Sequence, residues 1–222
     1  MEPSRFPRVK VCCIQSVAEA RAAIRAGASA VGLVSDMPSG PGVIPEDTIA
    51  VIAAAVPPPV SAFLLTCRRD AASIAAQQRR LGVGTLQLCD RLAGGAHADL
   101  RAALPGVRLV QVVHVTGPEA VDEAAAVAPL VDAVLLDSGN PGLPVKELGG
   151  TGRRHDWSLS RRIREALGVP VFLAGGLTAD NVGEAIAAVG PFALDVCGGV
   201  RTSGALDETR LEAFFRAAGP AA

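Results

Sequence analysis

Residues 170–200 read PVFLAGGLTADNVGEAIAAVGPFALDVCGGV, and the stretch repeats one local pattern. An apolar run of strand length, Pro170–Ala174, enters Gly175-Gly176. An Ala-rich run opened by Thr178 and stopped at Gly190 follows. A second apolar run, Ala193–Cys197, then enters Gly198-Gly199. Short, continuously apolar runs are what strands covered on both faces require. A helix between two such runs is the crossover of a parallel pair.

Six further runs of the same kind precede these two: Val9–Cys13, Ala30–Val34, Val60–Leu65, Thr85–Cys89, Leu109–Val115 and Ala133–Asp137. The segments between them carry helix-end signals. Ser16-x-x-Glu19 and Thr116-x-x-Glu119 fit a capping box. Asp70 is placed to cap 71–81 and Gly82 to stop it. Helices are also expected over Trp157–Leu167, from Thr178 to Val189, and over Asp207–Ala218, while Gly94 and Gly95 leave only Ala96–Leu104 for one more. Eight strand–helix units in 222 residues predict an α/β fold, a (β/α)8 TIM barrel occupying 1–222 as one domain. A doubly wound open sheet is the structural alternative, but the first strand runs into CCIQSVAE and not into a GxGxxG dinucleotide fingerprint.

Composition narrows the function. Lys and Arg number 21 against 22 Asp and Glu, so no global field draws the chain to nucleic acid. Aromatics are 3% of residues and Tyr is absent, which argues against base-stacking platforms. Apolar runs such as Thr48–Val60 are too short or too Pro-broken to span a bilayer, and MEPSRFPRVK lacks a signal core. A cytoplasmic location, without membrane or nucleic-acid partners, is the expectation. The five cysteines show no metal-ligand spacing, so no metal site is expected.

In a TIM barrel, reactive groups come from strand C-terminal ends and the loops beyond them. Glycine pairs let main-chain N–H groups converge on an anion, and the loops after strands seven and eight are the usual phosphate site in this fold. Gly175, Gly176, Gly198 and Gly199 are therefore the expected phosphate-binding residues. Gly150, in the GGTG run after strand six, belongs to a lid or to the turn a long loop needs. Asp137 ends an otherwise apolar strand, a position suited to general acid or base work. Strand alternation sends Cys12 and Cys13 to opposite faces, so only one of them can reach the barrel mouth. Lys10, two residues before Cys12, would supply the positive neighbour a thiolate needs.

Together these segments resemble the phosphoribosylanthranilate isomerase family. VKVCCIQS is similar to its VKICGIT opening. Leu86-Gln87-Leu88, AVLLDS at 133–138, ELGGTGRRHDWSL at 147–159, FLAGGLTADNVGEAI at 172–186 and LDVCGGV at 194–200 follow in order. The resemblance implies an isomerase of tryptophan, hence aromatic amino acid, biosynthesis. It would carry out the Amadori rearrangement of N-(5-phosphoribosyl)anthranilate, with Cys12 as general base, Asp137 as general acid and no cofactor. The expected ligand is a small phosphosugar, with Lys10, Gln87, His114 and Gly150 as further substrate contacts, on a monomer or homodimer.

The departures from the family pattern collect at the aglycone end. The arginine expected to meet the anthranilate carboxylate falls on Pro41, and Arg68, Arg69, Arg91 and Arg153 are the loop cations available to replace it. Cys13 stands for the motif glycine, Gln15 for its threonine, Cys89 for a histidine, and Arg201 for a glutamate. The alternative is a diverged paralogue acting on, or only binding, a different phosphosugar.

Overall fold

The computed structural model describes residues 7–219. Eight parallel strands lie side by side in chain order and close into a barrel. They are β1 (Arg8–Val11), β2 (Ala30–Val34), β3 (Ser61–Thr66), β4 (Thr85–Leu88), β5 (Arg108–His114), β6 (Ala133–Asp137), β7 (Val171–Leu173) and β8 (Ala193–Val196). Closure is made by β8 on β1, where Lys10 pairs with Asp195 and Val11 with Val196. The open-sheet alternative is thereby excluded.

Helices α1 (Val17–Arg25), α2 (Glu46–Ala55), α3 (Ala71–Leu81), α4 (Ala96–Ala103), α5 (Glu119–Val127), α6 (Trp157–Ala166), α7 (Val182–Val189) and α8 (Glu208–Ala218) follow the successive strands. Their ends show why they start and stop. Ser16, Asp70, Asp156 and Asp207 each accept a hydrogen bond from a first-turn N–H, and α3 and α7 end on left-handed Gly82 and Gly190. Two expected caps differ. Thr116 donates its hydroxyl to the Glu119 carboxylate while Pro118 occupies the cap position of α5. Asn181, not Thr178, precedes α7; its side chain binds the Thr178 N–H and so closes a turn before the helix begins.

Alternation along the strands divides the apolar residues into two cores. Val31, Leu33, Leu64, Leu86, Val134 and Leu136 face the helices, whereas Phe63, Leu65, Val110, Val112, Leu135 and Phe172 fill the barrel. Gly32 lies among the inward positions of β2, and a Cβ there would come within 2.8 Å of Cys12 Sγ and 3.0 Å of Lys10 Nζ. The missing side chain makes the room both groups occupy. A short hairpin absent from the sequence expectation, β9 (Arg201–Thr202) with β10 (Ala205–Leu206), separates β8 from α8. No helix among the described residues is long and apolar enough to cross a membrane.

Candidate active site

β1 stops at Val11, so Cys12 and Cys13 belong to the loop after it. Cys13 takes φ 61°, a left-handed conformation that a glycine adopts freely and other residues rarely do. This turn overrides the alternation expected of a strand. Both sulfurs line one cavity at the C-terminal mouth of the barrel, which corrects the expectation that only one could. The Cys13 side chain fits because Gly42 opposes it: a Cβ on Gly42 would lie 2.4 Å from that of Cys13.

The cavity holds about 380 Å³ and brings together Cys12, Gln87, Asp137, Gly150, Gly175, Gly176, Gly198 and Gly199. Asp137 is oriented from two sides. Its Oδ1 accepts from the Ser138 N–H at 2.7 Å, and its Oδ2 faces Gly149, where a Cβ would intrude to 2.7 Å. The N–H groups of Gly175 and Gly176 bind no backbone acceptor among the described residues. Gly198 opens a single helical turn, whose first N–H groups have no acceptor within the turn, and the space over its Cα is open. Thr178 also lines the cavity, and a Cβ on Gly199 would come within 3.1 Å of its Cα. Gln87 Oε1 is buried without a hydrogen-bond partner among the described residues and can accept from a ligand hydroxyl.

Two expected contacts lie outside the cavity lining. Lys10 is 1% exposed and gives its ammonium to Asp195 Oδ1 at 2.7 Å, beneath the cavity floor. His114 has Nε2 3.1 Å from the Cys89 carbonyl, and its Nδ1 edge is closed off by Gly139. The four proposed loop arginines are also engaged elsewhere. Arg68 pairs with Glu46, Arg69 donates to the Arg91 carbonyl, Arg91 pairs with Glu123, and Arg153 with Glu147. Pro41 does line the cavity, beside Val34, Met37 and Leu65. Arg210, from the first turn of α8, is the one Lys or Arg in the lining among the described residues. No sequence motif marks it: it sits 3.8 Å from Asp207, its own helix cap, and reads as an ordinary i,i+3 surface pair.

Electrostatics single out Cys12 among the thiols. The neighbouring Cys13 thiol pulls it below the ordinary thiol range, burial opposes this, and the Lys10 charge adds to the pull. Burial alone would discharge Lys10, but the Asp195 carboxylate and the Cys12 sulfur outweigh it and hold the ammonium charged. Cys89 is pushed well up by burial and by the Cys12 charge, which Lys10 offsets only in part. Because a depressed group deprotonates at lower pH, iodoacetamide capture of Cys12 should rise through a midpoint below that of an ordinary cysteine thiol. Mass spectrometry of the Cys12 peptide over a pH series measures this, and a midpoint at or above the free-thiol value would refute it.

A second clamp holds the same loop. Arg201 bonds Glu19 Oε2 at 2.8 Å and the Gly204 carbonyl at 2.8 Å, and also donates to the Cys13 carbonyl. Glu19 in turn accepts from the Gln15 and Leu206 N–H groups. Burial raises Glu19, but Arg201 and these two N–H groups bring it below the usual carboxylate range. The glutamate-to-arginine departure at 201 is therefore answered by an acid on α1.

By class, this is a TIM-barrel enzyme with a thiol and a carboxylate at its C-terminal mouth. A family model described as N-(5'phosphoribosyl)anthranilate (PRA) isomerase matches residues 9–217. The N-(5'-phosphoribosyl)anthranilate isomerase of Haloferax volcanii is 38% identical over 213 residues, covering 95% of this chain and 92% of that one. N-(5'-phosphoribosyl)anthranilate isomerase 2 of Methanosarcina mazei is 35% identical, covering 95% and 93%. The crystal structure of phosphoribosyl anthranilate isomerase from Thermotoga maritima superposes with a TM-score of 0.81 at 27% identity, covering 96% of this chain and 98% of that one. The chain belongs to the phosphoribosylanthranilate isomerase family.

Proposed function

We propose that the protein isomerises N-(5-phosphoribosyl)anthranilate to the corresponding 1-deoxyribulose phosphate in tryptophan biosynthesis. The observation that carries this reading is the shared cavity of Cys12, Asp137 and the two glycine loops. The diverged-ligand alternative finds no support in the matched relatives.

The chemistry follows from the placement. The phosphate lies against the N–H groups of Gly175, Gly176 and Gly198, where fixed dipoles bind an anion without reorganising. Asp137, as the acid, protonates the furanose ring oxygen, and the C1–O bond breaks as the anthranilate nitrogen forms a protonated Schiff base. The Cys12 thiolate then removes the C2 proton. The electron pair left on C2 forms the C1–C2 double bond, and the iminium nitrogen becomes a neutral amine. The resulting enolamine takes a proton at C1 from the Cys12 thiol while its C2 hydroxyl gives one up to the Asp137 carboxylate, and it becomes the ketose. The substrate nitrogen is the electron sink, so the chain's own two groups complete the proton transfers. Gln87 is placed to accept from a sugar hydroxyl.

Loss of the substrate's anthranilate fluorescence on adding purified protein tests the assignment. Absence of turnover with a sugar phosphate still bound would favour the alternative. Arg210, 57% exposed at its side chain, lines the cavity from α8, which packs on the turn at 198–200. A charge-assisted contact to phosphate is worth about 1.5–3 kcal/mol, which solvent screening reduces. Arg210→Ala should therefore raise KM roughly tenfold with kcat little changed. A fall in kcat at constant KM would contradict that placement.

A further inference from the structure

One of the family-motif departures, Cys13, meets a second cysteine in space. Cys13 comes from the loop after β1 and Cys197 from the residue after β8, 184 positions apart, and their sulfurs lie 2.7 Å from each other. Both line the cavity. Cys13 is buried and also donates toward the Pro41 carbonyl at 3.6 Å, whereas Cys197 is half-buried and open to a small molecule in the cavity. The closed barrel holds the two loops together from below, through the β1–β8 register and the Cys12 N–H bond to the Val196 carbonyl at 2.8 Å.

We propose that Cys13 and Cys197 form a redox-reactive pair that closes into a disulfide when a small organic disulfide enters the cavity, and that closure disarms Cys12. The step balances as thiol–disulfide exchange. The Cys197 thiol loses its proton and attacks one sulfur of the reagent, releasing one small thiol and leaving a mixed disulfide. Cys13 then displaces the second small thiol, so two cysteine thiols are oxidised while the reagent's disulfide is reduced to two thiols. A disulfide bond is about 2.0 Å long, so the sulfurs must close by about 0.7 Å. The product bond takes the S–H from Cys13, whose sulfur lines the same cavity as that of Cys12 one residue before it, so Cys12 loses the neighbouring thiol that favours its thiolate. Formation of the bond rests on geometry alone. Its effect is read on Cys12 directly, so the result does not depend on the proposed substrate.

The test is incubation of the folded protein with excess oxidised glutathione, followed by alkylation, peptide mapping and a rate measurement for iodoacetamide capture of Cys12. Two of the five thiols should become unreactive, with a Cys13–Cys197 cross-linked peptide, reversal by dithiothreitol, and Cys12 capture slowed about tenfold or more at fixed pH. Cys89→Ser should still form the cross-link, and Cys197→Ser should not. Five free thiols, a stable glutathione adduct on Cys197, or a cross-link through Cys12 would each overturn the pairing. A cross-link with unchanged Cys12 capture would overturn its control of that thiol.

Discussion

Cys12→Ala and Asp137→Asn should each lower kcat by about 10²- to 10⁴-fold, the range usual for a positioned proton-transfer group. The two losses should have different pH signatures. Cys12→Ala removes the thiolate and with it the acid limb of the kcat/KM profile. Asp137→Asn keeps that limb, because Cys12 still titrates, but supplies no proton to open the ring. A substrate analogue already in the ring-opened form would bypass the acid, so Asp137→Asn should handle it far better than Cys12→Ala does. Equal defects on the opened analogue would show that Asp137 serves the later step. Both changes leave the β1–β8 closure in place, so circular dichroism and thermal melting should match the parent closely enough to exclude misfolding as the cause.

The largest stability effect should come from below the cavity. Lys10→Met leaves Asp195 buried with no counter-ion, and breaking a buried pair from one side costs about 3–5 kcal/mol. Urea unfolding of Lys10→Met and of Lys10→Met/Asp195→Leu separates two contributions. The double variant, with two apolar side chains filling the barrel, should recover most of the loss. Neither should recover the depressed Cys12 thiol, because Lys10's charge is gone in both, so iodoacetamide capture should move to higher pH in both. If the single variant were as stable as the parent, the pair would contribute nothing to the fold. If Cys12 capture were unmoved, Lys10 would be structural only.

Strand order, helix sequence and the ends of α3, α6 and α8 were legible because they depend on local signals: apolar runs, a capping Asp, a glycine that can turn left-handed. Asp137 and the glycine loops were legible for a related reason. In a barrel, the end of a strand is the mouth, so a position in sequence becomes a position in space. What stayed hidden needed long-range register. Lys10 and Asp195 are 185 residues apart, and only the closing β1–β8 ladder sets them side by side. The alternation rule failed at Cys13 because it holds only while the strand lasts, and β1 ends at Val11. Cys13 also tolerates a left-handed turn that glycine would take more easily, and its side chain finds room only because residue 42 has none. Arg210 was missed since its reach into the cavity is set by how α8 returns over β8, which no local pattern encodes. Likewise, Thr178 looks like a helix cap in sequence but stands one turn too early, Asn181 having taken that place.

The two long loops at the mouth are fastened to each other: Ser39 Oγ donates to the Lys146 carbonyl at 2.7 Å, and Gly150 abuts the Pro41 ring so closely that a Cβ would fall 2.4 Å from Cδ. For an engineer who wants the barrel to accept a different aromatic partner, these segments therefore behave as one cassette. Swapping residues 36–45 alone would strand the matching surface of 139–152, and a transplant that carries both together is the one that preserves the seam.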